Sequence, residues 1–423
     1  MENFRIESLE INKIGAFEHI KMYFPKKTDP DKAEIHILTG ENGTGKSTVL
    51  EMLASCADDS NEKRLYKKFR NEEGKTGFRV EVKNHGEKAI YSKFINDFDS
   101  LSQQFQNSIG GYRSFTVVSR AFFAYSGSRF TREELINESS LVIDNPFQNA
   151  LDFSKSIDSK QLSTWILSNK TKALIANSNG ESESENIYEK NIQEIENVIS
   201  EIIGQEIKFI LQTRPIIYVA VKLNGVQLSI DVLPDGIKSI ISWLGDLVRR
   251  LETMIWEGMP NKDADIFERN FILFLDEIEV HLHPAWQRKI LPVVQKLFKN
   301  AQIFISTHSP FVVGSVDGAW IHKLKKEGVF AVLDGEPFLS EDGKSVRRIL
   351  DEIFGINQQY GIEVEKDLEK FREFRQKIMS GNKYNSVEFN QLVKHLASQS
   401  PELEQMMGME INQLKRITQK ELV

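Results

Sequence analysis

Residues 40–47 read Gly-Glu-Asn-Gly-Thr-Gly-Lys-Ser and fit the pattern G-x-x-x-x-G-K-[ST]. Glycines at Gly40, Gly43 and Gly45 let a backbone turn closely enough for its N–H groups to face phosphate oxygens, and a following helix adds the positive end of its dipole. Glu41, Asn42 and Thr44 supply the rest of that cradle. Lys46 would reach the β- and γ-phosphates, and Ser47, followed by Thr48, would offer a hydroxyl to Mg²⁺, which needs few protein ligands. The chemistry is ATP or GTP binding. By itself it leaves kinases, GTPases and helicases open.

Far along the chain, the apolar run 271–275 ends in Asp276-Glu277, a Walker B pattern. Asp276 would hold Mg²⁺ beside Ser47 through water, and Glu277 would orient the attacking water, because phosphoryl transfer is catalysed mainly by positioning and electrostatics. Two adjacent acids could instead cap the next helix. Beyond them lie His281, His283 and Pro284, then the strand-like run 302–306 and Thr307-His308-Ser309-Pro310. Paired histidines near acids can also bind zinc.

The elements that must position these groups follow from pattern. Apolar–polar alternation predicts strands over 4–11 and 20–24, and an apolar strand over 35–39 leads into the glycine loop and a helix over 46–57. Further strands are expected over 77–82, 89–94 and 114–124. Residues 145–205 carry apolar pairs at helical spacing, interrupted by the polar stretch 177–185, and read as helices around a flexible tip, either a short inserted arm or a packed subdomain. Strands over 207–212, 216–223 and 226–232, with Asn224-Gly225 as a two-residue hairpin turn, precede helices over 237–254 and 286–298. The expected organisation is an N-terminal lobe (1–144), a helical insert (145–205), a C-terminal lobe (206–340) and a helical, charged region (341–423) for a partner or for assembly.

Composition narrows the class. The 423 residues are 40% hydrophobic with a net charge of -7, ordinary for a globular chain and contrary to a wholly basic nucleic-acid coat. A local basic cluster, Lys63, Arg64, Lys67, Lys68 and Arg70, could track DNA backbone or be a solvated helix face. A single cysteine, Cys56, and the lack of a basic-then-apolar leader predict a cytoplasmic protein, and no run approaches the ~20 apolar residues that span a bilayer.

With both halves in place, the chain resembles the ABC/SMC-type ATPases, whose heads are two-lobed α/β P-loop folds. The resemblance implies that the loop after Glu277 is the D-loop, with His281 and His283 on it, and that His308 touches the γ-phosphate. Leu233-Pro234-Asp235-Gly236-Ile237-Lys238 looks like their signature motif, which presses on a nucleotide held by a second copy, so an ATP-sandwiched dimer is implied. Pro234 stands where a serine hydroxyl is common, leaving backbone N–H groups at Gly236 and Ile237; slow or triggered hydrolysis is the expectation. Arg129, after Tyr125-Ser126-Gly127, is a candidate phosphate contact or a surface ion pair.

Transporter domains lack the opening strand pair, and chromosome-organising relatives carry far longer inserts. The motifs Tyr125-Ser126-Gly127-x-Arg129, Leu233-x-Asp235-Gly236, the stretch from Asp276 through Gln287, and 306–310 are similar to those of the ATPases of Septu antiphage defence, over roughly 1–355. That resemblance implies a separate HNH endonuclease partner of the PtuB kind, held by an oligomer. No TOPRIM or His-Asn-His nuclease motif is visible in this sequence. The alternative is a RecF-type DNA-repair ATPase that clamps DNA without controlling a nuclease.

Overall fold

In the computed structural model, residues 4–57, 65, 67–70, 75–84, 87–94, 120–127, 145–153, 159–180, 182–214, 217–256 and 265–418 are described. Their elements begin β1 (Arg5–Ile14), β2 (Phe17–Tyr23), β3 (Glu34–Gly40), α1 (Lys46–Ala54), β4 (Gly77–Asn84), β5 (Glu87–Phe94), β6 (Ala121–Ser126), α2 (Ser159–Ser178) and α3 (Ser182–Ile203). They continue with β7 (Ile207–Gln212), β8 (Tyr218–Leu223), β9 (Val226–Leu228), α4 (Asp235–Thr253), β10 (Phe271–Asp276), α5 (Pro284–Leu297), β11 (Gln302–Ser306) and α6 (Pro310–Val313). The last are β12 (Trp320–Glu327), β13 (Phe330–Leu333), β14 (Phe338–Leu339), α7 (Val346–Glu352), α8 (Ile362–Met379), α9 (Ser386–Gln399) and α10 (Pro401–Thr418). They form two compact units, Met1–Phe354 and Gly355–Val423.

The first unit is an α/β head built on a seven-stranded sheet in the order β13-β12-β3-β11-β10-β6, with β14 beside β12. From β12 to β6 neighbouring strands run parallel, and β13 is antiparallel. Such strands are buried on both faces, which is why 271–275 reads as an unbroken apolar run and 35–38 is broken only by the buried His36. Side chains still alternate between two cores. Ile35, Ile37, Leu273, Leu275, Ile303 and Ile305 face one that also contains Trp165, Ile195, Ile240, Leu244 and Ile290 from the helices α2 to α5. Leu38, Ile272, Phe274 and Phe304 face the other, shared with Leu50 and Leu53 of α1 and with Leu9, Ile11 and Phe78 of a four-stranded antiparallel sheet, order β2-β1-β4-β5.

The insert is a packed subdomain. Leu162, Trp165 and Ile166 of α2 and Ile192, Ile195, Val198 and Ile199 of α3 all lie in the main core. The polar stretch expected to interrupt it is largely helical, because α2 ends only at Ser178, where Gly180 turns the chain at φ 80°, and α3 starts at Ser182. Of the run 226–232, β9 takes three residues; a short 3-10 turn over Ile230–Val232 follows, capped by the Ser229 hydroxyl. Asn224 and Gly225, at φ 46° and 86°, make the expected hairpin turn. Residues 114–119 of the strand expected over 114–124 lie outside the described residues. The strands β12, β13 and β14 were not anticipated.

The second unit is a helical bundle. The helices α8, α9 and α10 enclose their own core of Leu368, Phe371, Phe389, Leu396, Met407 and Leu414. No described helix is long and apolar enough to cross a membrane.

Candidate functional site

Sheet register sets one row of residues across the C-terminal strand ends: Ser126 beside Asp276, Asp276 beside Ser306, and Ser306 beside Leu38. In open α/β sheets, ligands bind beyond such ends. Gly40 closes β3 opposite Leu324, and at φ 144° a Cβ there would stand 2.1 Å from the Leu324 carbonyl oxygen, so only glycine lets the strand turn into the loop. Gly43 and Gly45 also take positive φ, 81° and 87°, leaving Glu41, Asn42 and Gly43 exposed at the tip and Thr44 buried, its hydroxyl on the Glu41 carbonyl at 2.9 Å.

Lys46 opens α1 and folds its ammonium back over the loop, donating to the carbonyls of Gly40 and Glu41, each at 3.0 Å. Burial lowers its pKa to about 8, against the pull of Glu277, Asp276 and Glu279. Ser47 Oγ donates to Asp276 Oδ1 at 2.9 Å across 229 residues of sequence, and the Ser306 hydroxyl donates to the same oxygen. Thr48 Oγ1 accepts from Lys68 at 3.0 Å. A hydroxyl and a carboxylate at that separation form an all-oxygen donor pair, which fits Mg²⁺.

Glu277 stands one residue past β10 at φ 51°, an uncommon conformation for a side-chain-bearing residue that persists only when its surroundings enforce it. Here the Glu277 N–H is shared between the carbonyl and the hydroxyl of Ser306, both at 3.1 Å. On the other side Gly127 donates to the Asp276 carbonyl at 2.9 Å, and a Cβ on Gly127 would lie 2.0 Å from the Glu277 carbonyl oxygen. The half-buried side chains of Asp276 and Glu277 thus leave the sheet between two close backbone contacts.

His308 follows β11. Thr307 N–H donates to Leu38 O at 3.2 Å, tying this segment to the strand that feeds the glycine loop. Burial, with the Lys46 charge next, lowers the His308 pKa, so its imidazole is neutral at pH 7. Its backbone N–H is taken by Glu279 Oε1 at 2.7 Å. Glu279 is buried, and burial raises its pKa. Sequence reasoning passed over Glu279; its only signal was an acid inside a run otherwise ascribed to histidines. His283 Nδ1 accepts from Ala285 N–H at 3.2 Å and so caps α5, a role the zinc reading had not considered. Among the described residues no three His, Cys, Asp or Glu side chains cluster around a metal position.

The turn before α4 leaves Pro234 and Asp235 exposed. Pro234 is the cap residue, and its carbonyl accepts the N–H groups of Ile237 and Lys238 at 2.9 and 3.1 Å. This corrects the expectation that the Ile237 N–H serves a ligand: the first helical turn already uses it, leaving Asp235 and Gly236. A Cβ on Gly236 would lie 2.7 Å from His281 O, so the turn rests against the loop after Glu277 of its own chain. Between them, Pro234, Asp235, His281, His283 and Trp286 line an open surface cleft of about 520 Å³.

Arg129 lies outside the described residues, as do Lys63 and Arg64. In the remainder of the basic cluster, Lys68 pairs with buried Glu51 at 2.5 Å and Arg70 with Glu18 at 2.6 Å, while Lys67 is exposed. Two of its charges are therefore internal struts rather than a free basic face.

A family model described as "AAA domain, putative AbiEii toxin, Type IV TA system" matches residues 35–314, and a second AAA-domain model matches residues 4–57. The chain is similar to Septu protein PtuA of Bacillus thuringiensis, 20% identical over 84% of this chain and 85% of that one. It is also 37% identical to the Retron Ec83 probable ATPase of Escherichia coli over 125 residues, spanning 30% of this chain and 22% of that protein's length. Among solved structures, an Smc head bound to the C-winged helix domain of ScpA aligns at TM-score 0.44 and 12% identity, covering 79% of this chain and 97% of that one.

Proposed function

This chain belongs to the AAA-domain family whose model spans residues 35–314, and on that premise we propose that it is the ATP-hydrolysing regulatory subunit of an antiphage defence complex. The observation that carries the catalytic half is the 2.9 Å contact between Ser47 and Asp276, which joins the loop and strand ends as Mg²⁺–ATP chemistry requires. In this reading the loop 40–45 wraps the phosphates through its N–H groups, Lys46 leaves its own carbonyls for them, and Thr48 steadies the helix start. Ser47 and Asp276 would hold Mg²⁺, which would supply positive charge against the phosphate oxygens. Glu277 orients the attacking water, and neutral His308 meets the γ-phosphate.

The turn that carries the exposed Pro234 and Asp235 completes the site of a second copy, so ATP joins two chains. With Pro234 lacking a hydroxyl and Ile237 already engaged, few donors remain at that turn, and hydrolysis is slow or depends on a trigger. The similarity to Septu protein PtuA supports a defence role, and in that reading the effector is a separate HNH nuclease of the PtuB kind held by the oligomer, in the cytoplasm.

Two measurements test this. Glu277→Gln is expected to cut ATP turnover by on the order of 10²–10³-fold while trapping an ATP-dependent dimer visible by mass photometry. Co-expression with the neighbouring gene product should co-purify a nuclease whose toxicity depends on Lys46. Rapid basal turnover of the purified chain, abolished by Glu277→Gln, would contradict the slow-switch reading; failure to hold any nuclease would sink the partner reading.

A further inference from the structure

Strand β12 closes on three lysines, Lys323, Lys325 and Lys326. Asp334 takes the first two, at 2.9 and 3.1 Å, and Glu327 adds a contact to Lys325 at 3.3 Å. Among the described residues, Lys326 has no carboxylate within the 4.0 Å of an ion pair. Its ammonium is instead beside the tip of the phosphate loop: a Cβ on Gly43 would lie 3.4 Å from Lys326 Nζ and 3.6 Å from Cε.

The placement follows from register. Leu324 lies opposite Gly40 on β3, and side chains two apart in a strand share a face, so the side of β12 that sets Leu324 against the start of the loop carries Lys326 toward Gly43. Gly328, at φ 64°, then reverses the chain into β13, which holds this stretch as a tight hairpin.

We propose that Lys326 is a second phosphate-binding lysine, reaching the polyphosphate of a bound nucleoside triphosphate from the Gly43 side of the loop while Lys46 reaches it from the Gly40 and Glu41 side. The inference rests on the reading of the loop as a nucleotide site. A lysine is a point charge on a flexible stem, suited to phosphate oxygens whose positions shift between triphosphate and diphosphate. A charge-assisted hydrogen bond to one of them corresponds to about tenfold in affinity.

Titration of the full chain with ATP and with ADP, by calorimetry, tests this. Lys326→Ala should weaken both by about tenfold with an unchanged melting temperature, since the side chain is exposed. Lys326→Arg should retain most of the affinity, and Lys325→Ala, whose charge is already paired, should match wild type. If Lys46→Ala abolishes binding but Lys326→Ala binds like wild type, Lys326 is a solvated lysine and the nucleotide reading stands. If the wild-type chain takes up neither nucleotide, both readings fall together.

Discussion

The buried carboxylate of Glu279 accepts the backbone N–H of His308 at 2.7 Å, tying the loop that follows β10 to the segment that follows β11. A carboxylate two residues beyond Glu277 thus sets where His308 stands. Glu279→Ala should lower ATP turnover by roughly 10–100-fold, the range a small misplacement of a catalytic group costs, with ATP affinity retained. Glu279→Gln keeps an oxygen acceptor and removes a carboxyl whose ionisation burial opposes, so it should turn over near the wild-type rate and melt no lower. Equal turnover in the alanine variant would show that His308 needs no such tether.

Gly127 offers a purely steric test. Its φ is not positive, yet a Cβ would strike the Glu277 carbonyl at 2.0 Å. Gly127→Ala should lower stability by roughly 1–3 kcal/mol, the range for overpacking a close contact, and slow hydrolysis by moving Glu277. Denaturant unfolding and turnover measured together check it; wild-type values in both would mean that the backbone there yields freely.

Lys46 links binding to pH. Burial holds its pKa near 8, so at pH 8 about half of the ammonium has lost its proton, and the charge of incoming phosphate raises that pKa. ATP binding should therefore take up protons at pH 8, seen as a binding enthalpy that varies with the ionisation enthalpy of the buffer, and affinity should fall as pH rises through 8. A buffer-independent enthalpy at pH 8 would refute it.

Acid should weaken the fold through two histidines. His36 Nδ1 and His322 Nε2 lie 3.1 Å apart, fully buried between β3 and β12, and burial lowers the pKa of both. Because the folded pKa values lie below the ordinary 6.5, the unfolded chain binds more protons at acid pH. Their contribution is present above 6.5 and is lost as pH falls below it. Asp246 adds a lower limb: burial alone would raise its pKa, but the Arg250 and Arg249 charges bring it to about 2, so its stabilisation is lost between the usual carboxylate range and pH 2. Denaturation midpoints from pH 8 to 2 should decline as described, and His322→Gln should flatten the upper limb; an unchanged slope would assign it elsewhere.

The site was legible in the sequence where local chemistry dictates geometry. Glycines that must take positive φ, and an apolar strand ending in acids, announce themselves in consecutive residues, and the register sets Asp276 beside Ser306 and Ser306 beside Leu38, with Gly40 and His308 each two residues further along their chains. What stayed hidden depends on distant partners. Lys68 and Arg70 look like a basic face until Glu51 and Glu18 arrive beside them. The strand β12 was missed because Trp-Ile-His-Lys-Leu-Lys-Lys-Glu buries only part of its length and pairs Lys323 and Lys325 with Asp334, which lies beyond the strand. Glu279 and Lys326 lie in elements whose roles become visible only once the sheet register is known.

The parallel alignment of β3, β11 and β10 has one more consequence. The reacting groups depend on adjacent strand ends, whereas the long excursion from α1 to β10 returns its helices to the opposite face of the sheet. Insertions between its helices, unlike changes at β6 or Gly127, need not alter the register that aligns the strand ends. The head is therefore modular: the register of its strand ends can stay constant while the helices packed on the other face vary.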